Sequence, residues 1–156
     1  MLKNLLMLCT LVCLSWSASA SDEAPFSGDI SASTLLADYN KFSQEYERFT
    51  ATSDELELIQ KLAGKDILVL FGTWCHDSQR EVPRLLKLLE KSKVAVNSLQ
   101  LIAVGYNKKD PAGVASAHEL KYTATMIVMQ EGKELSRVVE KPKNSLVIDL
   151  TNFDEE

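Results

Sequence analysis

Ile67-Leu68-Val69-Leu70-Phe71-Gly72-Thr73-Trp74-Cys75-His76-Asp77-Ser78 is the stretch on which the reading of this chain turns. Four apolar residues in succession, Ile67 to Leu70, without alternation, predict a strand covered on both faces. The apolar positions Val82, Leu85, Leu86 and Leu89 that follow predict a helix reaching about Lys91. Cys75 is thereby delivered to the first turn of that helix. Unpaired backbone N–H groups and the helix dipole favour negative charge there, the condition under which a cysteine becomes a nucleophilic thiolate.

A strand, then Trp74-Cys75, two intervening residues, a fourth position at Ser78 and a helix containing Pro83 resembles the thioredoxin superfamily, whose motif is W-C-x-x-C with a helix proline at the same offset. In that family the second cysteine resolves the mixed disulfide formed by the first, and here its position is Ser78. The resemblance implies an α/β, thioredoxin-like fold. Its central mixed sheet would have about four strands, two parallel and then an antiparallel hairpin, flanked by helices.

Outward toward the start, residues 1–20 read as a signal peptide. Lys3 supplies a positive region, Leu5 to Trp16 an apolar stretch of about a dozen residues, and Ala18-Ser19-Ala20 a small-residue cleavage site. The apolar stretch is short of the roughly 20 residues that a bilayer span needs. Val12, ahead of Cys13, is not the small residue that a lipoprotein site wants. Cleavage would remove Cys9 and Cys13 of the three cysteines, so the mature chain would hold Cys75 alone. In an oxidising exported compartment, with a bacterial periplasm as the expected one, an odd cysteine points to a reactive thiol or an intermolecular partner. The formal charge of −5 would become −6 without Lys3, an acidic balance that argues against nucleic acid as a partner.

Residues 21–33 are polar and are expected to be a loose, flexible leader, with a single domain over 34–156. Leu35, Leu36, Tyr39, Phe42, Tyr46 and Phe49 recur at helical spacing and predict one extra N-terminal helix from about Thr34 to Thr50, packed on the domain. Thr52 to Glu55 carries a capping-box signature, and Leu56, Ile59 and Leu62 continue a helical face to Gly64. Arg80, Arg84, Lys87 and Lys91 form a basic stripe, read first as a solvated face and second as an anion or partner surface. Leu99 to Val104 reads as a second strand, parallel to the first because the connection is long and helical. Ala112 to Leu120 reads as a short helix or turn. Thr125 to Met129 and Leu135 to Glu140 form a hairpin about Gln130-Glu131-Gly132-Lys133, and Ser145 starts a closing helix. The resemblance covers about residues 53–152.

The chain departs from the family at three positions. The family's cis-proline, at the start of the strand leading into the hairpin, corresponds to Ala124, and thioredoxin's buried acid six residues before the first cysteine corresponds to Val69. The third is Ser78. A cis bond before a non-proline residue costs about 2.5–4 kcal/mol, which predicts a trans Thr123–Ala124 peptide. A dithiol reductase of the usual kind is excluded, because Cys75 has no internal partner.

A lone thiolate still attacks a disulfide and forms a mixed disulfide that an external thiol releases. Cys75 is the expected nucleophile of such monothiol exchange, with Trp74, His76, Asp77, Ser78 and Ala124 around it, and a small thiol or a thiol- or disulfide-bearing protein as partner. The helix terminus contributes about 0.3–1 kcal/mol toward a negative charge; a protonated His76 would add to it and Asp77 opposes it. A second reading is a redox-inactive module that binds a partner through the surface around Trp74. A third, a metal held by Cys75, His76 and Asp77, is disfavoured by their adjacency, and no cofactor or metal is expected. If the leader is read correctly, mass spectrometry of the exported protein finds Ser21 as the first residue; a full-length cytosolic chain would sink both export and the cysteine argument built on it.

Overall fold

A computed structural model describes residues 24–153. The expected signal peptide, with Cys9 and Cys13, and the first residues of the leader lie outside them. Five strands and six α-helices follow in order among the described residues: β1 (Gly28–Asp29), α1 (Ala32–Asp38), α2 (Asn40–Arg48), α3 (Ser53–Leu58), β2 (Asp66–Phe71), α4 (His76–Ser92), β3 (Ser98–Ala103), α5 (Val114–Ala117), β4 (Thr125–Gln130), β5 (Lys133–Val139) and α6 (Leu146–Thr151). None of these helices is long and apolar enough to cross a membrane.

The strands form one mixed sheet in the order β1-β3-β2-β4-β5. The expected strand is β2, at the centre, parallel to β3 on one edge and antiparallel to β4 on the other. Ile67, Val69 and Phe71 face the larger core, with Leu85 of α4, Phe42 of α2 and Leu150 of α6. Leu68 and Leu70 face a smaller one closed by Ala115 of α5. Both faces are covered, which is why this segment shows no polar alternation. β4 and β5 form the expected hairpin, whose turn residues Glu131 (φ 52°) and Gly132 (φ 79°) both lie in the left-handed region that a two-residue primed turn requires.

The sheet has five strands where about four were expected. Gly28 and Asp29, in the segment read as a loose leader, pair with Ala103 and Ile102, and Ile30 adds a hydrogen bond to the Leu101 carbonyl. A two-residue edge strand has too little apolar content to announce itself in sequence.

The single helix expected over 34–50 is two. Tyr39 leaves the helical region (φ −117°, ψ 93°) between α1 and α2, and its ring packs edge-on against Phe42, 6.1 Å away, which in turn meets Phe71 at 5.8 Å. The break lets Leu35 and Phe42 both reach the core at full burial. The capping box at the start of α3 is present: the Glu55 N–H donates to Thr52 Oγ1, and the Thr52 N–H donates to the Glu55 carboxylate.

The basic stripe on α4 is an inter-helix contact at two of its four residues, Arg84 and Lys87, while Arg80 pairs with Asp77 and Glu81 of its own helix and Lys91 pairs with Glu90. Arg84 donates to Glu45 Oε1 at 2.7 Å and lies over the Phe49 ring, and Lys87 lies over the Tyr46 ring at 4.4 Å. The solvated reading fails for Arg84 and Lys87, because α2 and its C-cap offer aromatic faces and a buried carboxylate against those two cations. Glu45 is 5% exposed and also accepts from Arg48. Burial pushes the Glu45 carboxyl up, but the hydrogen bonds from Arg84 and Arg48 outweigh this and hold it below the usual carboxylate range.

A carboxyl held low contributes stability above its unfolded value of about 4.3 and loses it as pH falls through the folded value. Glu45→Gln is therefore expected to lower unfolding stability at neutral pH by about 1.5–3 kcal/mol. The gap between the two proteins should close in acid, below about pH 4. Urea unfolding at several pH values checks this, and a gap that is constant with pH would mean that the ionised carboxylate is not what joins α2 to α4.

Candidate functional site

The C-terminal ends of β2 and β3 lie side by side, with Phe71 opposite Ala103. Three residues beyond each end come Trp74 and Tyr106, whose rings meet at 5.1 Å with an interplanar angle of 49°. Trp74 Nε1 donates to the Val104 carbonyl at 3.2 Å, which ties the turn after β2 to the end of β3. Gly72 makes room for this ring: a Cβ built there would lie 2.7 Å from Trp74 Cε2.

Cys75 is the N-cap of α4 and is half-buried. Its N–H donates to the Gly72 carbonyl and its own carbonyl accepts from Gln79, so the backbone on both sides is fixed. No side chain caps the helix, which leaves the N–H groups of the first turn available beside the sulfur. The thiol donates to the Thr123 carbonyl at 3.1 Å.

The Thr123–Ala124 peptide is cis, which corrects the expectation of a trans bond. Sequence sets only the intrinsic preference of a peptide, and this one is enclosed by its neighbours. Thr123 and Ala124 are both buried, the Thr123 carbonyl accepts from Cys75, and the Ala124 carbonyl accepts from the Glu140 N–H at 2.6 Å. Cys75 and the expected position at Ala124 are thus brought together in space through the Thr123 carbonyl.

The other expected residues separate by role. Ser78 is fully buried, and its hydroxyl accepts from the Gly72 N–H at 3.2 Å, closing the turn that carries Trp74 and Cys75. Asp77 pairs with Arg80 at 2.7 Å, while His76 is exposed with no hydrogen-bond partner among the described residues. Cys75, His76 and Asp77 therefore do not converge, and among the described residues no three His, Cys, Asp or Glu side chains are grouped to hold a metal.

Three groups at the site went unread in the sequence. Tyr106 was recoverable from the parallel pairing, since it stands as far beyond β3 as Trp74 stands beyond β2. Gln79 donates to the Thr73 carbonyl at 2.8 Å and holds the turn from inside the helix. Glu81 is 2% exposed, with Oε1 accepting from Arg80 Nε at 2.5 Å and Oε2 buried without a partner among the described residues. Its position three residues after Ser78 and four before Leu85, on the buried side of α4, was the available signal.

No protein-family model matches the chain, and no curated protein matches it in sequence. Solved structures similar to it include a protein of unknown function from Pseudomonas aeruginosa, at 22% identity over 74% of this chain and 69% of that one, with a TM-score of 0.49. A chain from a structure describing thiol resolution in the yeast mitochondrial 1-Cys peroxiredoxin is similar at 21% identity, covering 58% of this chain and 79% of that one, with a TM-score of 0.40. Mitochondrial thioredoxin 3 of Saccharomyces cerevisiae is similar at 16% identity over 61% of this chain and 86% of its own, with a TM-score of 0.37.

Proposed function

We propose that this chain is an exported, thioredoxin-like protein, periplasmic in a bacterium, that carries out monothiol thiol–disulfide exchange through Cys75. The observation that carries the reading is the placement of Cys75, the one cysteine among the described residues, at the N-cap of the 17-residue helix α4, with its thiol on the Thr123 carbonyl, the Trp74–Tyr106 pair beginning at its chain neighbour, and a hydroxyl in the resolving position. In the first step the Cys75 thiolate attacks one sulfur of a disulfide. A mixed disulfide forms at Cys75, and the other sulfur leaves as a thiolate that takes up a proton from water. In the second step an external thiolate attacks the mixed disulfide, returns Cys75 as a thiolate and carries the substrate half away as a new disulfide. No net electrons stay on the protein. Partners are accordingly a disulfide-bearing protein or small disulfide in the first step and a thiol in the second.

One observation favours a second reading, a redox-inactive module that binds a partner around Trp74: the Cys75 thiol is half-buried and its proton is engaged by the Thr123 carbonyl. The two readings separate on whether that thiol exchanges. Incubated with a disulfide and cleared of free thiol, the mature protein is expected to carry one persistent adduct at Cys75 by intact mass, lost on adding a small thiol. Ser78→Cys is expected to turn this trap into a releasing enzyme by restoring the resolving attack, provided the two sulfurs reach disulfide geometry. If the folded protein forms no adduct while the unfolded chain does, Cys75 is shielded and the binding module is the function.

A further inference from the structure

The exchange reading leaves the releasing thiol unspecified, and the surface next to Cys75 is not neutral. Between α2 and α4 runs a cleft of about 420 Å³, lined by Lys41, Glu45 and Arg48 from α2 and by His76, Gln79 and Arg80 from α4. That volume falls in the range that holds small ligands. His76 follows Cys75 directly, and Arg80 lies five residues on, about 7–8 Å of helix rise from the thiol-bearing turn. The α4 wall of the cleft, from His76 to Arg80, thus lies within a tripeptide's length of the thiol-bearing turn.

The charge in the cleft is unevenly satisfied. Glu45 serves both Arg84 and Arg48, and Arg80 is held between Asp77 and Glu81. Counting these neighbours, four cations meet three carboxylates, and the surplus sits at the mouth. Lys41 is exposed and has no ion pair or hydrogen bond among the described residues, and the Arg48 side chain is 77% exposed with one carboxylate on it. In a chain of formal charge −5, a locally positive wall beside the thiol selects for anions. Gln79, whose amide nitrogen donates to the Thr73 carbonyl, also lines the cleft, and an amide oxygen is able to accept from an N–H.

We infer that the α2–α4 cleft is the binding site for the releasing co-substrate and that this co-substrate is a small thiol bearing carboxylates. The inference rests on the exchange reading. A carboxylate docks at Lys41 and Arg48, which brings the sulfur of the same molecule to the mixed disulfide at Cys75. There its thiolate displaces Cys75 and leaves joined to the substrate half as a disulfide. The extra N-terminal helix α2 is then one wall of a substrate site as well as a cover for α4.

The test uses the mature protein loaded at Cys75 with the neutral adduct from 2-hydroxyethyl disulfide. Release is timed with glutathione, 2-mercaptoethanol or cysteamine, which are anionic, neutral and cationic, and rates are compared per unit of thiolate. Glutathione is expected to exceed cysteamine by about tenfold at low salt, with the ratio falling toward one at high salt. Lys41→Glu, an exposed change in the first turn of α2, is expected to abolish the preference. Lys61→Glu, the same charge change on a different exposed surface, should leave it intact. A natural protein that does not distinguish the three thiols, or a preference that survives Lys41→Glu, overturns the cleft while leaving exchange standing. Failure to load any adduct overturns the exchange reading and this inference with it.

Discussion

The double pairing of β2 is the constraint from which the site follows. β2 is hydrogen-bonded along both edges, and every side chain from Ile67 to Phe71 is at most 2% exposed. A slip of one residue would send Ile67, Val69 and Phe71 from the larger core to the smaller and Leu68 and Leu70 the other way, so the register is strongly fixed. With the strand immobile, the turn that follows it begins at a fixed point. Parallel pairing sets the ends of β2 and β3 together, which brings Trp74 to Tyr106. Antiparallel pairing of Leu70 with Thr125 sets the start of β4 at the same end, which brings the Thr123 carbonyl to Cys75. Three stretches distant in sequence meet around the turn that carries Trp74 and Cys75 because one strand is held on all sides.

The second organising contact is Glu45. Burying a carboxylate is unfavourable unless its lone pairs are used, and here guanidinium groups from two helices use them. Beside this polar contact, Phe49 and Tyr46 lie under Arg84 and Lys87, so α2 is seated on α4 by cations packed over rings and by ion pairing, with Phe42 reaching through to the apolar core. Such a seat is directional. It fixes which turn of α2 faces which turn of α4, and so determines that Lys41 and Arg48 open toward the same cleft as His76 and Arg80.

Much of this was legible in the sequence, and the parts that were not share a cause. The continuous apolar run of β2, the Thr52–Glu55 box, the hairpin about Glu131-Gly132 and the Ser145 cap all use chemistry confined to a few neighbouring residues, and each is found where expected. What escaped depends on residues far apart. Gly28 and Asp29 become a strand only because β3 offers an open edge, and Tyr39 leaves the helical region where its ring meets Phe42, which in turn meets Phe71. In the stripe Arg80, Arg84, Lys87 and Lys91, Arg84 and Lys87 look solvated until α2 is laid on them. The Thr123–Ala124 bond is the sharpest case, since local preference pointed one way and the hydrogen bonds that enclose the peptide belong to Cys75 and Glu140.

Two departures at the motif are consistent with each other on physical grounds. A cysteine three residues after Cys75 would have to ionise before it attacked a mixed disulfide, and a buried acid beside it could take up that proton. Here the position is Ser78, whose hydroxyl is engaged by the Gly72 N–H, so no proton has to leave it. A buried acid would then have no task, and an unpaired buried carboxyl is costly. The position holds Val69, at 0% exposure in the larger core, where an apolar side chain contributes about 1.5–3 kcal/mol by burial. Without a thiol at position 78 there is no such proton to take up, and Val69 packs in the core instead. The same logic places the burden of release outside the chain. On the exchange reading, what would have been an intramolecular step becomes a binding problem, and the groups available to solve it are those on the surface beside Cys75.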